Sequence, residues 1–349
     1  MKNSVKQHVS ALAAVLACLA LALVLYHSLA GGTLLQSSPY NSYALQAENW
    51  LAGRNYIANG ENYTWLELAI YQGRYYQSFP PVPAVLMLPF VAAAGEWSAI
   101  PGNLIAMGLA LLCAGGAYAC CMRGGMRPVT CAFFTLFVSM GSNVFWMSTS
   151  DGVWFLAQVC ALGFAFWGLF FAQGGNAVQD AAASFCIALA VGCRPFYALL
   201  LACWLGWQFY QRRSLKRILP ALLPAIVAAV CMMAYNFARF GSVTEFGHNY
   251  LPEFVRAENG QFSLTYLVPN LLQLLRPVTL DAQGQLHFEI YNGFLFFAAN
   301  PLLLLAMVRG LLLRLPGHRA EVQVSVPLPS AGWFVAAMCL LMTCLTCMH

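Results

Sequence analysis

The sequence predicts an all-α protein, a polytopic transmembrane helical bundle of about nine spans whose large first outer loop contains an interfacial helix. Three observations predict it. Of 349 residues, 60% are hydrophobic and only 8% charged, where a soluble domain carries roughly 25% charged residues. The apolar residues fall into runs long enough to cross a hydrocarbon core of about 30 Å. Basic residues flank those runs on one side of the predicted membrane, as cytoplasmic loops do. Residues 1–349 are read as a single transmembrane domain.

Each element follows in turn. Lys2 and Lys6 precede the apolar run 9–30. A basic start, an apolar stretch and Ser28-Leu29-Ala30 also fit a signal peptide. The run is long enough to span, so it is read as an uncleaved first helix with a cytoplasmic N-terminus. Residues 31–99 form the first outer loop. Within it, 82–94 is apolar but short, rising about 20 Å as helix, and Pro83 and Pro89 weaken it as a span. It is expected to lie in the membrane interface. The run 100–121 returns inward to Arg123 and Arg127, and 129–147 goes out. A short outer turn, 148–152, carries Asp151; 153–172 comes in, and 173–180 is a polar inner turn. Residues 181–210 are too long for one span and are interrupted by Arg194-Pro195. Two short helices joined near the outer face explain this, because proline ends a helix and the arginine then avoids the bilayer centre. The run 218–237 goes out with Pro220 and Pro224 in its first turns, and 238–291 is a second outer loop. The runs 293–308 and 332–348 make the last two spans.

The charges agree with this path. Lys2, Lys6, Arg123, Arg127, Arg212, Arg213, Lys216, Arg217, Arg309, Arg314 and Arg319 fall inside, eleven of the 17 Lys and Arg. Arg54, Arg74, Arg239, Arg256 and Arg276 fall outside. Of the 12 acids only Asp180 and Glu321 are inside, so the acidic chemistry belongs to the outer face. The 13 cysteines all lie in or beside apolar segments. They read as small buried residues, with neither a metal-binding spacing nor a disulfide framework. A Gly-rich phosphate loop with Lys-Ser/Thr and a nucleophile elbow are both missing. The basic residues flank helices instead of forming a patch, which excludes nucleic acid as a partner.

Two stretches carry the candidate chemistry. The first, from Tyr40 to Pro89, sets Glu48, Glu61 and Glu67 among Trp50, Tyr56, Trp65, Tyr71, Tyr75 and Tyr76. Aromatic rings stack on the apolar face of a pyranose, and a carboxylate can take a proton from a hydroxyl. Trp50, Tyr75 and Tyr76 are therefore candidate sugar- or acceptor-binding residues. An amphipathic lid on the membrane surface is the plainer reading. The second stretch, from Tyr235, gathers Arg239, Glu245, His248, Glu253 and Arg256. Arg239, Arg256 and His248 could hold a phosphate; the plainer reading is mutual neutralisation at the headgroup level. A divalent cation could join outer carboxylates to a phosphate, although no spacing demands one.

The segments Y-A-L-Q-A-E-N-W-L-A-G-R from Tyr43, Y-Q-G-R-Y-Y-Q-S-F-P-P-V-P-A-V-L-M-L-P from Tyr71 and Y-N-F-A-R-F-G-S-V-T-E-F-G-H-N-Y from Tyr235 give the chain its resemblance. With the layout of a first span, an acidic outer loop and many short spans, it resembles the GT-C class of membrane glycosyltransferases. Within that class it is similar to the family-39 branch of protein-mannosyltransferase and aminoarabinose-transferase relatives. The resemblance implies an inverting transfer of a sugar from a polyprenyl-phosphate carrier to a glycan, lipid or protein acceptor outside a bacterial plasma (inner) membrane. It implies a carboxylate base, for which Glu48 and Glu67 are the candidates, and arginines on the carrier phosphate, for which Arg194 joins Arg239. One departure stands out. The acidic pair that the family carries just before the tyrosine matching Tyr43 is absent; Pro39, Tyr40, Asn41 and Ser42 stand there. A multispan transporter or lipid flippase, or a non-catalytic membrane protein of envelope assembly, are the other readings the sequence leaves open.

Overall fold

A computed structural model describes residues 2–274, 276, 279–280 and 282–287. The expected spans 293–308 and 332–348 lie outside the described residues. The chain divides into two compact units, one ending at Leu251 and the next beginning at Pro252.

The first unit is mainly helical. Its helices are α1 (Lys2–Leu29), α2 (Ser42–Leu51), α3 (Val82–Ala94), α4 (Gly102–Arg123), α5 (Pro128–Met140), α6 (Val144–Met147), α7 (Val153–Ala172), α8 (Ala177–Val191), α9 (Ala198–Arg212) and α10 (Leu215–Phe240). Four stretches are long and apolar enough to cross a membrane: Val5–Leu29, Gly102–Arg123, Val153–Ala172 and Ile218–Phe240. The run expected as one span over 129–147 is two helices. It breaks at Gly141-Ser142-Asn143, where the Ser142 hydroxyl donates to the Val138 carbonyl at 2.6 Å instead of leaving that group to the helix ladder. The interruption at Arg194-Pro195 is present. There α8 ends at Val191, a 3₁₀ turn covers Pro195–Tyr197, and α9 starts at Ala198.

Packing is centred on α7, which lies between α4 and α8, while α10 lies along α8. Small residues let the helices approach. A Cβ added to Gly168 of α7 would meet Ile187 Cγ1 of α8 at 2.6 Å. On α10, Ile218, Ala221 and Ala225 are buried, one helical face at spacings of three and four. In an apolar solvent, close contact of this kind holds helices together where hydrophobic burial cannot.

The two ends of the bundle differ chemically. At one, Arg212 pairs with Asp180, Gln208 donates to the same carboxylate at 3.0 Å, and Arg123 donates to Gln179 at 3.1 Å. At the other lie the turns 30–41, 148–152 and 192–197 together with the C-terminal end of α10. Over that second end sits a cap that the all-α expectation missed in part. It holds α2, α3 and a β-hairpin, β1 (Leu68–Tyr71) paired with β2 (Arg74–Gln77). Gln72 and Gly73 make the two-residue turn, with φ of 49° and 73°. Two positive φ values match the right-handed twist of the strands they join. The short helix α3 begins where its Val82 amide donates to the Gly192 carbonyl at 3.0 Å. Just beyond its end, the Trp97 amide donates to Glu48 of α2 at 2.9 Å. It enters and leaves at the same end of the bundle and does not cross it.

One carboxylate fastens the cap. Asp151 is fully buried. It accepts from the Ser37 hydroxyl at 2.5 Å, the Ser38 amide at 2.7 Å and Asn41 Nδ2 at 2.6 Å. Asn41 Oδ1 in turn caps α2 by accepting from the Ala44 amide at 2.9 Å. The Asp151 amide donates to Asn103 of α4 at 3.2 Å. Space here exists only because residue 102 is glycine, since an added Cβ would lie 1.6 Å from Asp151 Oδ2.

The described part of the second unit has α11 (Pro252–Val255), α12 (Leu267–Leu274) and a second small hairpin, β3 (Thr279–Leu280) with β4 (Leu286–His287).

The Asp151–Asn41 pair gives a swap test. In Asp151→Asn or Asn41→Asp alone, two like groups face each other where donor met acceptor, and thermal stability in detergent should fall by roughly 1–3 kcal/mol. The double variant restores one donor facing one acceptor and keeps an oxygen for the Ala44 amide. It should recover most of the loss, measured as the unfolding midpoint of the purified protein.

Candidate functional site

The cap meets the bundle around two arginines. Arg194 lies in the turn between α8 and α9, and Arg239 in the last turn of α10. Arg194 Nη2 donates to the Trp154 carbonyl at 2.9 Å, and its guanidinium stands 5.6 Å from the centre of the Phe79 ring. Arg239 is 3% exposed. Its Nη1 donates to the Gln77 carbonyl at 2.6 Å and its Nη2 to Asn236 Oδ1 at 3.1 Å. It also lies over the rings of Tyr235 and Phe240, at 3.9 and 4.6 Å. Neither guanidinium forms a salt bridge among the described residues, and the buried Nε of each lacks a hydrogen-bond partner. A buried cation is costly unless an anion or several good hydrogen bonds answer it. Here the hydrogen bonds come from neutral oxygens.

The same region collects most of the other unpartnered buried polar atoms of the described residues. They are the hydroxyls of Tyr43 and Tyr235, both amide atoms of Gln46, and Oε1 of Gln77. Tyr43 and Gln46 share one face of α2 with Ala47 and Trp50, being three, four and seven residues apart. Trp50 carries that face to α10, where its ring meets Tyr235 edge-on at 5.7 Å. Gln77 is at the end of β2 and donates through Nε2 to Ser42 at 2.7 Å. Burial drives the Tyr43 hydroxyl pKa well above its ordinary value, opposed by the nearby charge of Arg194. Burial also lowers the Arg194 pKa, and Tyr43, Cys193, Glu67 and Tyr197 oppose that shift. An arginine stays charged even so.

The residues singled out from sequence are only partly brought together. Glu67 is at the site: its Oε2 accepts from Trp154 Nε1 at 3.1 Å, and its charge acts on Arg194. Glu48 sits about 140° round α2 from Tyr43. It faces the 3₁₀ turn Trp97–Ala99 instead, where it accepts the Trp97 amide. His248 is at the site, with its ring 5.8 Å from that of Phe79. Tyr75 and Tyr76 are neighbours on one strand and so point to opposite faces. Tyr75 packs with Leu45, Ile57, Leu66 and Leu68, and Tyr76 with Ala69 and Phe240. They cannot sandwich one sugar together. Arg256 belongs to the second unit. Tyr43, Gln46, Gln77, Tyr235 and Phe79 are the members that sequence reading missed. The first two had a signal in their helical spacing from Trp50. Among the described residues, no group of three His, Cys, Asp or Glu side chains could hold a metal ion.

No family model matches the chain, and no curated protein or solved structure matches it either. The site therefore has to be read from its own chemistry.

His248 supplies a pH signature. Burial lowers its pKa to about 4, helped by Arg194 and opposed by Glu245. An unfolded chain would protonate this imidazole near its ordinary value of about 6.5. Between those values acid loads a proton on the unfolded state first, so stability falls as pH drops through that window. His248→Gln should flatten this part of the stability profile, seen in unfolding midpoints measured from pH 7 to pH 4.

Proposed function

We propose that the chain is a membrane glycosyltransferase with a GT-C-like layout. It moves a sugar from a polyprenyl-phosphate carrier to a glycan, lipid or protein acceptor at the outer face of a bacterial plasma membrane. The protein is multi-pass with its N-terminus in the cytoplasm. One observation carries the reading. Two buried guanidinium groups, on separate helical elements, are each tethered to a backbone carbonyl by one arm and have no ion-paired carboxylate among the described residues. That is a site set for an anion with several oxygens, and planar guanidinium groups suit phosphate.

The reaction would be a single displacement with inversion. Glu67, held by Trp154 and beside Arg194, serves as general base on the acceptor hydroxyl. The anomeric carbon gains positive character as its bond to the carrier phosphate lengthens. Arg194 and Arg239 answer the charge that grows on that phosphate, which is where fixed donors accelerate a reaction most. His248, neutral at pH 7, and Phe79 border the phosphate side. The ring of Trp50 borders the sugar side. Glu48 keeps α2 in register with the segment that follows α3. Glu67 takes the role the resemblance assigns to the missing acidic pair before Tyr43.

The protein in nanodiscs, given a panel of radiolabelled polyprenyl-phosphate hexoses and pentoses, tests this. Glu67→Gln should lower transfer by about 10²–10⁴. Arg194→Gln and Arg239→Gln should each lower it by about 10²–10³. Glu48→Gln should keep turnover, because an amide oxygen still accepts the Trp97 amide. Full transfer by Glu67→Gln would remove the assigned base. Flux of the carrier across proteoliposomes, independent of Glu67, would replace the transferase with a flippase.

A further inference from the structure

We propose that Tyr43, Gln46 and Gln77 form a hydroxyl-recognising subsite, which takes the polyol part of a phosphorylated ligand beside the two arginines. This rests on the reading of Arg194 and Arg239 as the phosphate subsite. Gln46 is fully buried, and among the described residues neither its amide nitrogen nor its oxygen has a partner. The Tyr43 side chain is fully buried with its hydroxyl unpartnered. Gln77 is 1% exposed; its nitrogen is bonded to Ser42 while its oxygen has no partner.

The kinds of atom left over identify the ligand class. Gln46 Oε1 and Gln77 Oε1 are acceptors only, while Gln46 Nε2 is a donor and the Tyr43 hydroxyl is both. A phosphate that carries no proton only accepts, so it could answer the Gln46 nitrogen and the arginines but neither amide oxygen. An alkyl chain answers none of them. A hydroxyl both donates and accepts, and two or three on one ring answer the whole set. The positions agree with a ligand that reaches from charge to neutral polar surface. Tyr43 lies within electrostatic reach of both Arg194 and Tyr235, and the Gln77 backbone carbonyl holds Arg239 at 2.6 Å. The carrier phosphate and the hydroxyl groups would thus sit on opposite sides of the same few residues. Sugar recognition then comes from buried amides and a phenol on α2 and β2, not from the tyrosine pair Tyr75 and Tyr76.

The test compares two probes on the purified full chain in nanodiscs: undecaprenyl phosphate, and the same lipid phosphate bearing a neutral hexose. Intrinsic tryptophan fluorescence reads the dissociation constants. Wild type should bind the hexose-bearing probe at least about tenfold more tightly than the bare one, the scale of one or two neutral hydrogen bonds. Gln46→Leu should cancel that ratio and leave the affinity for bare undecaprenyl phosphate within about twofold. Its unfolding midpoint without ligand should be at or above that of wild type, because it removes two buried polar atoms that have no partner. Tyr43→Phe, a smaller change, should lower the ratio in the same direction. An unchanged ratio in both variants overturns the subsite and leaves the phosphate reading intact. A lowered midpoint for Gln46→Leu shows that the amide is satisfied within the protein and also overturns it. Failure of wild type to bind either probe removes the phosphate reading, and the subsite with it.

Discussion

The buried carboxylate of Asp151 is the interaction on which the rest of the cap depends. Its partners come from the turn after α1, from the residue that caps α2 and, through its own amide, from α4. Burial pushes its pKa up, and the bonds from Ser37, Ser38 and Asn41 hold it down. A carboxylate in this position is tolerable only while all its donors are present, because one lost donor leaves charge exposed to a medium that cannot solvate it. The consequence is geometric. Asn41 is held by Asp151 on one side and caps α2 on the other, so the rotation of α2 about its axis is tied to the top of α7. That rotation decides which side chains of α2 meet the arginines.

From that constraint the site follows in order. With α2 fixed, Trp50 meets Tyr235 of α10, Tyr43 comes within electrostatic reach of Arg194 and Tyr235, and Glu48 faces the segment after α3. With β2 placed beside α2 by the Gln77–Ser42 bond, the Gln77 carbonyl reaches Arg239. With Trp154 at the first turn of α7, one residue serves both Arg194, through its carbonyl, and Glu67, through its indole nitrogen. Each guanidinium is therefore oriented before any ligand arrives, by a backbone oxygen that cannot neutralise it. Orientation of this kind lowers the ordering cost that binding otherwise carries.

How much of this was legible in the sequence depends on the range of the interaction. Apolar runs and the Arg194-Pro195 interruption announced the helices, because burial and proline act locally. The short apolar stretch 82–94 was legible as a helix too short to cross, from its length and its two prolines. The hairpin had a local signal too: Gln72-Gly73 between Tyr71 and Arg74 is a two-residue turn with β-branched and aromatic residues close on either side. The two faces of α2 could have been separated by counting 100° per residue, which would have set Glu48 apart from Trp50. Asp151 was not legible as a fastening point. Its partners Ser37 and Asn41 lie 114 and 110 positions away, and nothing local distinguishes a buried turn aspartate from a solvated one. The pairing of Arg239 with Gln77 spans 162 positions and is equally hidden.

The arginines and the unpartnered amides pose one physical question from two sides. A buried guanidinium hydrogen-bonded only to neutral oxygens has no ion-paired carboxylate among the described residues, and a buried glutamine with both amide atoms unbonded there calls for a partner that gives and takes protons. Either defect alone could be a local imperfection of packing. Together, within four elements, they are complementary: the first calls for a phosphate, the second for hydroxyl groups, and a sugar phosphate on a lipid carries both. The alternative of plain headgroup binding meets only the first, because a bare phosphate leaves both amide oxygens as they are. A transport path would place such groups along the length of the bundle. Here they gather under the cap at one end, beside a carboxylate held at a fixed place by an indole nitrogen. The proposed base, phosphate-binding pair and hydroxyl-binding set, gathered at one end of a helical bundle, suit transfer more than passage.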